Sequence, residues 1–158
     1  MEIQFVRGTA EHVDACAQAM ENSSLQNVYF QAPERRKSAV LEGIAQGTLY
    51  VALYDGVCAG FAYYQPEGAF HAYPYLHLLA VHEAYRGRGV GKQLLAFLEN
   101  RLLADKDKMF LLVGAYNTLA KAFYEREGYS QVGLIPGLYR QGVDECLMMK
   151  LRPVGEQE

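Results

Sequence analysis

Residues 75–98 read YLHLLAVHEAYRGRGVGKQLLAFL and carry the clearest structural pattern in the chain. The apolar run at 75–81 shows little alternation, which predicts a central strand covered on both faces. A glycine-rich turn at 87–91 follows it. Beyond the turn, leucines recur at helical spacing and predict a helix that runs to about Leu103. The stretch therefore predicts a strand, a turn and a helix in immediate succession.

The composition is that of one globular domain. The chain has 158 residues, 51% of them hydrophobic, which suits a single core. A formal net charge of −3 gives no electrostatic case for a nucleic-acid partner. We expect one domain at residues 1–152 and a polar tail at 153–158 that frays.

Cysteine usage and hydropathy indicate the cellular setting. The three cysteines lie far apart, with neither a disulfide framework nor zinc spacing, so we expect reduced thiols and no bound metal. The first residues lack the pattern of a signal peptide, and no run approaches the roughly 18 apolar residues of a membrane span. We therefore expect a cytoplasmic protein without a membrane partner.

The other segments alternate between strands and helices. Asp55-Gly56 is a strong hairpin signal between strands at 48–54 and 57–65. Pro33 and Gly47 bound a helix whose apolar side is Val40, Leu41 and Ile44. Further predicted elements are a strand at 3–7, a helix at 9–20, a strand at 109–113, a helix from Asn117 or Thr118 to Gly128, and strands at 129–134 and 144–151. Connections are predicted at 22–31, 66–74 and 135–142. The resulting order of elements is β-α-α-β-β-β-α-β-α-β-β, which indicates an α/β or α+β domain with a mixed sheet.

The glycine-rich turn has the properties of an anion site. In the run Arg86-Gly87-Arg88-Gly89-Val90-Gly91-Lys92, three glycines let the backbone curl and leave its N–H groups unshielded. The following helix directs its positive dipole end into the same concavity, and three basic side chains add full charge. These features suit a phosphate or pyrophosphate group.

Two familiar phosphate motifs do not fit the turn. A P-loop needs glycine at position 86 and Ser or Thr at 93, where the chain has Arg86 and Gln93. A dinucleotide fingerprint needs G-x-G-x-x-G near the start of a βαβ unit, whereas this turn has G-x-G-x-G after four earlier strands. The pattern that fits is Arg/Gln-x-x-Gly-x-Gly/Ala, through Arg86, Gly89 and Gly91.

With this motif, the chain resembles the GCN5-related N-acetyltransferase superfamily. The resemblance is most specific at residues 79–91, and a second block at 117–129, NTLAKAFYEREGY, matches the family at the correct separation. The fourth strand is locally similar to that of arylalkylamine N-acetyltransferases. The resemblance implies a mixed, mostly antiparallel sheet of about seven strands, flanked by about four helices and splayed between strands four and five.

The resemblance also implies acetyl-CoA as co-substrate, without a metal. In the family, backbone groups of the fourth strand bind the pantetheine arm, and the N–H at the position of Leu79 polarises the acetyl carbonyl. Tyr124 matches the tyrosine that protonates the sulfur of the departing coenzyme. The cofactor-binding residues implied are Leu79, Ala80, Val81, Arg86, Gly87, Arg88, Gly89, Val90, Gly91, Lys92, Asn117 and Tyr124. Helix capping alone would also explain Asn117.

The general base does not follow from the glutamate positions that family members commonly use. Family members that use a glutamate on the fourth or fifth strand have it at the positions of Tyr75 or Leu112, so this chain departs from both groups. Arylalkylamine acetyltransferases carry two histidines at positions 75 and 77, of which this chain has only His77. We take His77 as the catalytic base, with a water chain to the backbone as the alternative. His82 is expected to be exposed and receives no role.

The acceptor implied by the resemblance is a primary amine of a small molecule, protein or peptide. Its pocket is expected in the predicted connections, whose aromatic residues include Tyr29, Phe30, Phe70, Tyr73 and Tyr139. The main alternative function is a non-catalytic sensor or regulatory module that binds acetyl-CoA. A kinase-like module fits less well, because a Walker lysine-serine pair is missing. The family leaves monomer and homodimer both open.

Overall fold

The computed structural model describes residues 2–154, and in this range the chain forms seven β-strands and four α-helices. The strands are β1 (Ile3–Arg7), β2 (Leu49–Tyr54), β3 (Val57–Ala69), β4 (Tyr73–Val81), β5 (Lys108–Gly114), β6 (Ser130–Arg140) and β7 (Val143–Leu151). The helices are α1 (Val13–Ala19), α2 (Pro33–Gln46), α3 (Val90–Asp105) and α4 (Thr118–Arg126).

The strands follow the order β1-β2-β3-β4-β5-β7-β6 in one sheet. The pairings of β1 with β2, β2 with β3, β5 with β7 and β6 with β7 are antiparallel. The predicted class, a mixed and mostly antiparallel seven-stranded sheet with four helices, is confirmed for residues 2–154. The splay at strand four and the single-domain boundary at 152 stay predictions, and the end of the tail, residues 155–158, lies outside the described residues.

The chain divides into two compact units. The first unit comprises the residues up to Gln65 together with Leu76–Leu98, and the second comprises Pro66–Tyr75 together with the residues from Glu99 onward. Within residues 2–154, none of the helices combines the length and apolar character needed to cross a membrane.

The core of the first unit packs α1 and α2 against one face of the sheet. As predicted, α2 begins with Pro33 and ends at Gly47. Its buried side differs from the prediction, because Val40 and Gly43 are buried whereas Leu41 is exposed. Residues 40 and 43 lie on the same side of the helix, because they are three positions apart. Gly43 has no side chain, and this leaves room for the ring of Tyr63 in the core. The buried core residues are Cys16, Ala19, Met20, Val40, Leu49, Val51, Phe61, Tyr63, Leu78 and Ala80.

Burial along β4 alternates, contrary to the prediction of a strand covered on both faces. The side chains at 74, 76, 78 and 80 are buried, whereas those at 73, 75, 77, 79 and 81 are only half-buried. The sequence hides this alternation because both sets are largely apolar or aromatic. The half-buried set contains His77 and Leu79, two of the predicted site residues.

The predicted loop at 66–74 is wrong, because β3 and β4 continue through most of it. They are joined by a tight turn in which the Ala72 N–H donates to the carbonyl oxygen of Ala69 at 3.1 Å. Phe70 and His71 both adopt positive φ, at 58° and 59°. A two-residue hairpin turn of this type normally carries Asn-Gly, so its sequence gave no turn signal.

Two other predicted connections contain regular structure. Residues 22–31 include a π-helical turn at Leu25–Tyr29. At 135–142, β6 extends to Arg140, and its register against β7 shifts between Ile135 and Arg140. Because Ile135 pairs with Glu145 and Arg140 pairs with Val143, residues 136–139 form a bulge on β6.

Candidate active site

The turn before α3 has the geometry expected of an anion site. Gly87 and Gly89 adopt positive φ, at 80° and 79°, a conformation that other residues rarely take. The Gln93 N–H donates to the carbonyl oxygen of Gly89 at 3.1 Å, which is the start of the helical hydrogen-bond ladder. The N–H groups of Val90, Gly91 and Lys92 belong to the first turn and so precede that ladder. These donors and the helix dipole are available for an anionic group.

Arg88 and Lys92 bring positive charge to this turn, and both are exposed. The guanidinium carbon of Arg88 lies 5.7 Å from the ring centroid of Tyr54 and 5.6 Å from that of Tyr85. Cation–π contact with two rings restrains the side chain without neutralising its charge. The turn and its basic side chains therefore fit a pyrophosphate group.

Arg86 is exposed, but its side chain is held by hydrogen bonds within the protein. Its Nε donates to the carbonyl oxygen of Val81 at 2.9 Å, and its terminal nitrogens donate to those of Glu21 at 2.8 Å and Asn22 at 2.9 Å. The arginine thus fastens the chain after α1 to the glycine turn. Its predicted contact with the coenzyme stays a prediction, but the side chain already has this internal role.

His82, predicted to be exposed and without a role, is half-buried, and its Nδ1 accepts from the Ala84 N–H at 3.1 Å.

The backbone of β4 is approached closely by a glycine of β3. A Cβ atom placed on Gly60 would lie 2.6 Å from the carbonyl oxygen of Ala80 and 3.2 Å from the Cα of Val81. Only glycine permits this approach, so Gly60 fixes the position of the strand that carries the predicted oxyanion donor, Leu79. The hairpin pattern gave no reason to single out Gly60.

His77 lies in a small polar cluster of the first unit. Its ring is 5.2 Å from the ring of Tyr63, edge to face, and the Tyr63 hydroxyl donates a hydrogen bond to the carboxylate of Glu42 on α2. Burial lowers the pKa of His77, and the negative charge of Glu42 opposes this shift. A histidine with a lowered pKa is neutral at pH 7 and can accept a proton.

Tyr124 and Asn117 lie in the second unit, on and beside α4. The Oδ1 of Asn117 caps α4 by accepting from the Ala120 N–H at 3.2 Å. The Tyr124 ring contacts the rings of Phe123 and Tyr129, with centroids 5.1 Å and 5.7 Å apart. Burial raises the pKa of Tyr124, so its phenol stays protonated at neutral pH and can donate a proton.

A charged network holds the ring that contacts Tyr124. The Tyr129 hydroxyl donates to Oε2 of Glu99 at 2.8 Å, and Nζ of Lys150 lies 2.9 Å from Oε1 of the same carboxylate. Lys150 also donates to the carbonyl oxygen of Glu127, just after α4, at 2.7 Å. The network therefore fixes the end of α4 relative to β7.

Tyr75, which occupies the position of the family's strand-four glutamate, belongs to a tyrosine pair in the second unit. Its hydroxyl lies 3.5 Å from the hydroxyl of Tyr139. Burial is the main cause of its raised pKa, followed by the hydrogen bond with Tyr139, with smaller electrostatic contributions from Glu145 and Tyr124. Glu145 is buried, and sequence reasoning missed it because it was one polar residue within a predicted strand.

The first unit brings together His77, the backbone at 79–81 and the basic glycine turn, while the second contains Asn117 and Tyr124. Of the other aromatic residues predicted for an acceptor pocket, Phe70 and Tyr73 pack against Phe110, and Phe30 packs on the core of the first unit. Residues 2–154 contain no cluster of three or more His, Cys, Asp or Glu side chains that could hold a metal ion.

Known proteins are similar to this chain in sequence. It is 37% identical over 107 residues to an uncharacterized N-acetyltransferase of Methanocaldococcus jannaschii, a match covering 66% of each chain. It is 33% identical over 97 residues to the N-alpha-acetyltransferase RimI of Mycobacterium tuberculosis, a match covering 60% of each. The matches thus span about two thirds or less of these relatives' lengths.

The fold and a family model agree with these matches. The structure of yncA from Salmonella typhimurium with its cofactor acetyl-CoA superposes with a TM-score of 0.72 at 16% identity, covering 100% of this chain and 98% of that one. The model described as Acetyltransferase (GNAT) family matches residues 16–129, well over half of the chain. The chain therefore belongs to the GNAT family of acetyltransferases, as its glycine turn and its 117–129 block predict.

Proposed function

We propose that the chain is an acetyl-CoA-dependent N-acetyltransferase that acts on a primary amine of a small molecule, peptide or protein. The observation that carries the proposal is the turn before α3, where two glycines in positive φ and the first N–H groups of the helix accompany Arg88 and Lys92. The relatives named as N-acetyltransferases support the reaction type. The likeness to a protein named RimI supports including the α-amine of a polypeptide among acceptors.

Acetyl-CoA, when bound, supplies an acetyl group activated as a thioester. The N–H groups at 89–92 and the exposed basic side chains would bind its pyrophosphate, and the backbone of 79–81 would bind its pantetheine arm. The Leu79 N–H would stabilise negative charge on the carbonyl oxygen during attack. These roles use backbone groups, which explains why the strand can be apolar.

Two side chains would move protons in this reaction. His77, neutral at pH 7 because burial lowers its pKa, would accept the proton that the amine must lose. Tyr124, protonated because burial raises its pKa, would donate a proton to the departing thiolate. The two shifts run in the directions that a base and an acid need at the same pH.

The experiment is an amine-panel screen with acetyl-CoA, read by thiol release and by the mass of the acetylated product. We expect turnover by the native chain and a loss of kcat of about 10²–10⁴-fold in Tyr124→Phe, the usual contribution of a general acid. Tyr64→Phe removes a phenol elsewhere and should keep native kcat. Binding of acetyl-CoA without turnover across the panel would contradict the proposal and favour a non-catalytic sensor.

A further inference from the structure

Two cysteines that are far apart in sequence come together in the core of the first unit. Cys16 on α1 is fully buried, and Cys58 on β3 is half-buried. Cys16 is one of the buried residues of the core between the helices and the sheet, and Cys58 packs against that same core. Both are free thiols in the structure, and the proposed mechanism gives them no role.

A bulge on β3 turns Cys58 toward this core. On β2 the adjacent positions 52 and 53 pair with Gly60 and Cys58, so Ala59 is one extra residue on β3. In a regular strand the side chains of Cys58 and Phe61, three positions apart, would lie on opposite faces. The extra residue reverses that alternation, and both side chains pack in the core on the face that α1 covers.

A hydrogen bond between the two thiols makes them chemically unequal. Donated by Cys16, it lowers the pKa of Cys58 against the opposing effect of partial burial. The same bond raises the pKa of Cys16, and burial raises it further. Oxidants react with the more exposed thiol of higher thiolate character. Cys58 is therefore the thiol that reacts first, and Cys16 is the neighbour that can react with the product.

We propose that Cys58 and Cys16 form a redox site, which a peroxide converts reversibly into an intramolecular disulfide. The Cys58 thiolate attacks one oxygen of hydrogen peroxide and breaks the O–O bond, leaving a sulfenic acid and a hydroxide that is protonated to water. The Cys16 sulfur then attacks the sulfenic sulfur, whose S–O bond breaks, and the departing hydroxide leaves as a second water with the Cys16 proton. The two thiols thus give two electrons and two protons to the peroxide, and an added dithiol reverses the step.

The bulge also contacts the strand predicted to bind the coenzyme. The carbonyl oxygen of Ala59 accepts from the His82 N–H, just after β4, at 2.7 Å, and a Cβ on Gly60 would lie 2.6 Å from the carbonyl oxygen of Ala80. A disulfide holds its sulfurs about 2.0 Å apart, closer than two hydrogen-bonded thiols, so it draws the bulge toward α1. We expect this movement to displace the backbone of β4 and to weaken acetyl-CoA binding. That consequence, unlike the disulfide itself, rests on the proposed function.

Peptide mapping tests the disulfide directly. The reduced native chain is treated with hydrogen peroxide and alkylated in denaturant, and its peptides are identified by mass spectrometry. We expect a disulfide between Cys16 and Cys58, with Cys146 alkylated, and alkylation of all three cysteines after dithiothreitol. Cys146→Ala, a change in the second unit, should form the same disulfide. Three free thiols after peroxide, or a sulfinic acid at Cys58 beside a free Cys16 thiol, would overturn the site.

Variants of the two cysteines separate their roles. In Cys16→Ala, Cys58 should stop at the sulfenic acid, which dimedone traps, because no second thiol is beside it. In Cys58→Ala, Cys16 should stay reduced because it is fully buried. Oxidation of Cys16 in Cys58→Ala as fast as in the native chain would contradict the proposed order. If Cys16→Ala does not fold, peptide mapping of the native chain and Cys58→Ala, a change at a half-buried position, still decide the question.

Calorimetry with acetyl-CoA separates the disulfide from its consequence. We expect the oxidised chain to bind acetyl-CoA at least about fivefold more weakly than the reduced chain, the lower end of usual coupling between two sites. Dithiothreitol should restore the affinity, and Cys58→Ala should show no response to peroxide. Equal affinity of the two forms would keep the disulfide and overturn its link to β4. A reduced chain that does not bind acetyl-CoA would contradict the proposed function, while the peptides still decide the disulfide.

Discussion

Replacing Lys150 with methionine tests the network that holds Tyr129 against Tyr124. Lys150 Nζ lies 2.9 Å from Glu99 and 2.7 Å from the Glu127 carbonyl oxygen, and the paired side chains are only 18% and 12% exposed. In the variant, Glu99 keeps little contact with solvent and retains the hydrogen bond from the Tyr129 hydroxyl. Methionine has nearly the same length, so the loss of charge is the main change.

The size of the effect follows from this burial. Removing one partner of a fully buried ion pair costs about 3–5 kcal/mol. Because this pair keeps some solvent and Glu99 keeps the hydrogen bond from Tyr129, we expect a loss of about 2–3 kcal/mol in the free energy of unfolding. For a chain of this size, that loss lowers Tm by roughly 4–12 °C.

Urea unfolding followed by circular dichroism measures the free energy, and thermal unfolding measures Tm. The control is Lys37→Met, which breaks a pair of similar geometry, Lys37 Nζ to Asp14 Oδ1 at 3.2 Å, with side chains 54% and 80% exposed. Such a surface pair contributes about 0–1 kcal/mol. Equal losses in the two variants, or a loss below about 1 kcal/mol for Lys150→Met, would refute the reasoning from burial.

Two further substitutions test the first unit. Glu42→Gln removes a charge that raises the pKa of His77, so the pKa should fall further and the acidic limb of the kcat/KM profile should move to lower pH. Glu34→Gln, on the same helix, should leave that limb in place, and an unmoved limb in Glu42→Gln would argue against His77 as the base. Gly60→Ala would place a Cβ 2.6 Å from the carbonyl oxygen of Ala80 and so displace β4. We expect steady-state kinetics to show a higher KM for acetyl-CoA and a kcat reduced by roughly tenfold or more; native constants would contradict a coenzyme-binding role for this backbone.

Much of the fold was predictable because its boundaries carry residues with one strong conformational preference. Pro33 and Gly47 bound α2, and Asn117 caps α4, as their chemistry predicts. The glycine turn was predictable for the same reason, since positive φ at positions 87 and 89 is the conformation glycine alone adopts readily.

The features that sequence reasoning missed depend on partners distant in sequence. The turn at Phe70-His71 places two non-glycine residues in positive φ, which the surrounding hairpin imposes against their preference. The bulge on β6 is visible only from its register against β7. Glu145 is buried because β5 and β6 flank its strand on both sides. One acidic residue within a predicted strand does not reveal which strands will lie beside it.

Arg86 links two segments of the first unit that, in the proposed function, would contact the coenzyme and the acceptor. One guanidinium group joins the glycine turn, through Val81, to the carbonyl oxygens of Glu21 and Asn22, which lead into the segment ahead of α2. A ligand that makes the turn more rigid therefore also makes this segment more rigid and lowers the entropy cost for a second ligand that contacts it. Because such coupling is reciprocal, we expect an acceptor that orders residues 21–29 to tighten coenzyme binding by the same factor. In steady-state kinetics this appears as positive cooperativity between two different substrates.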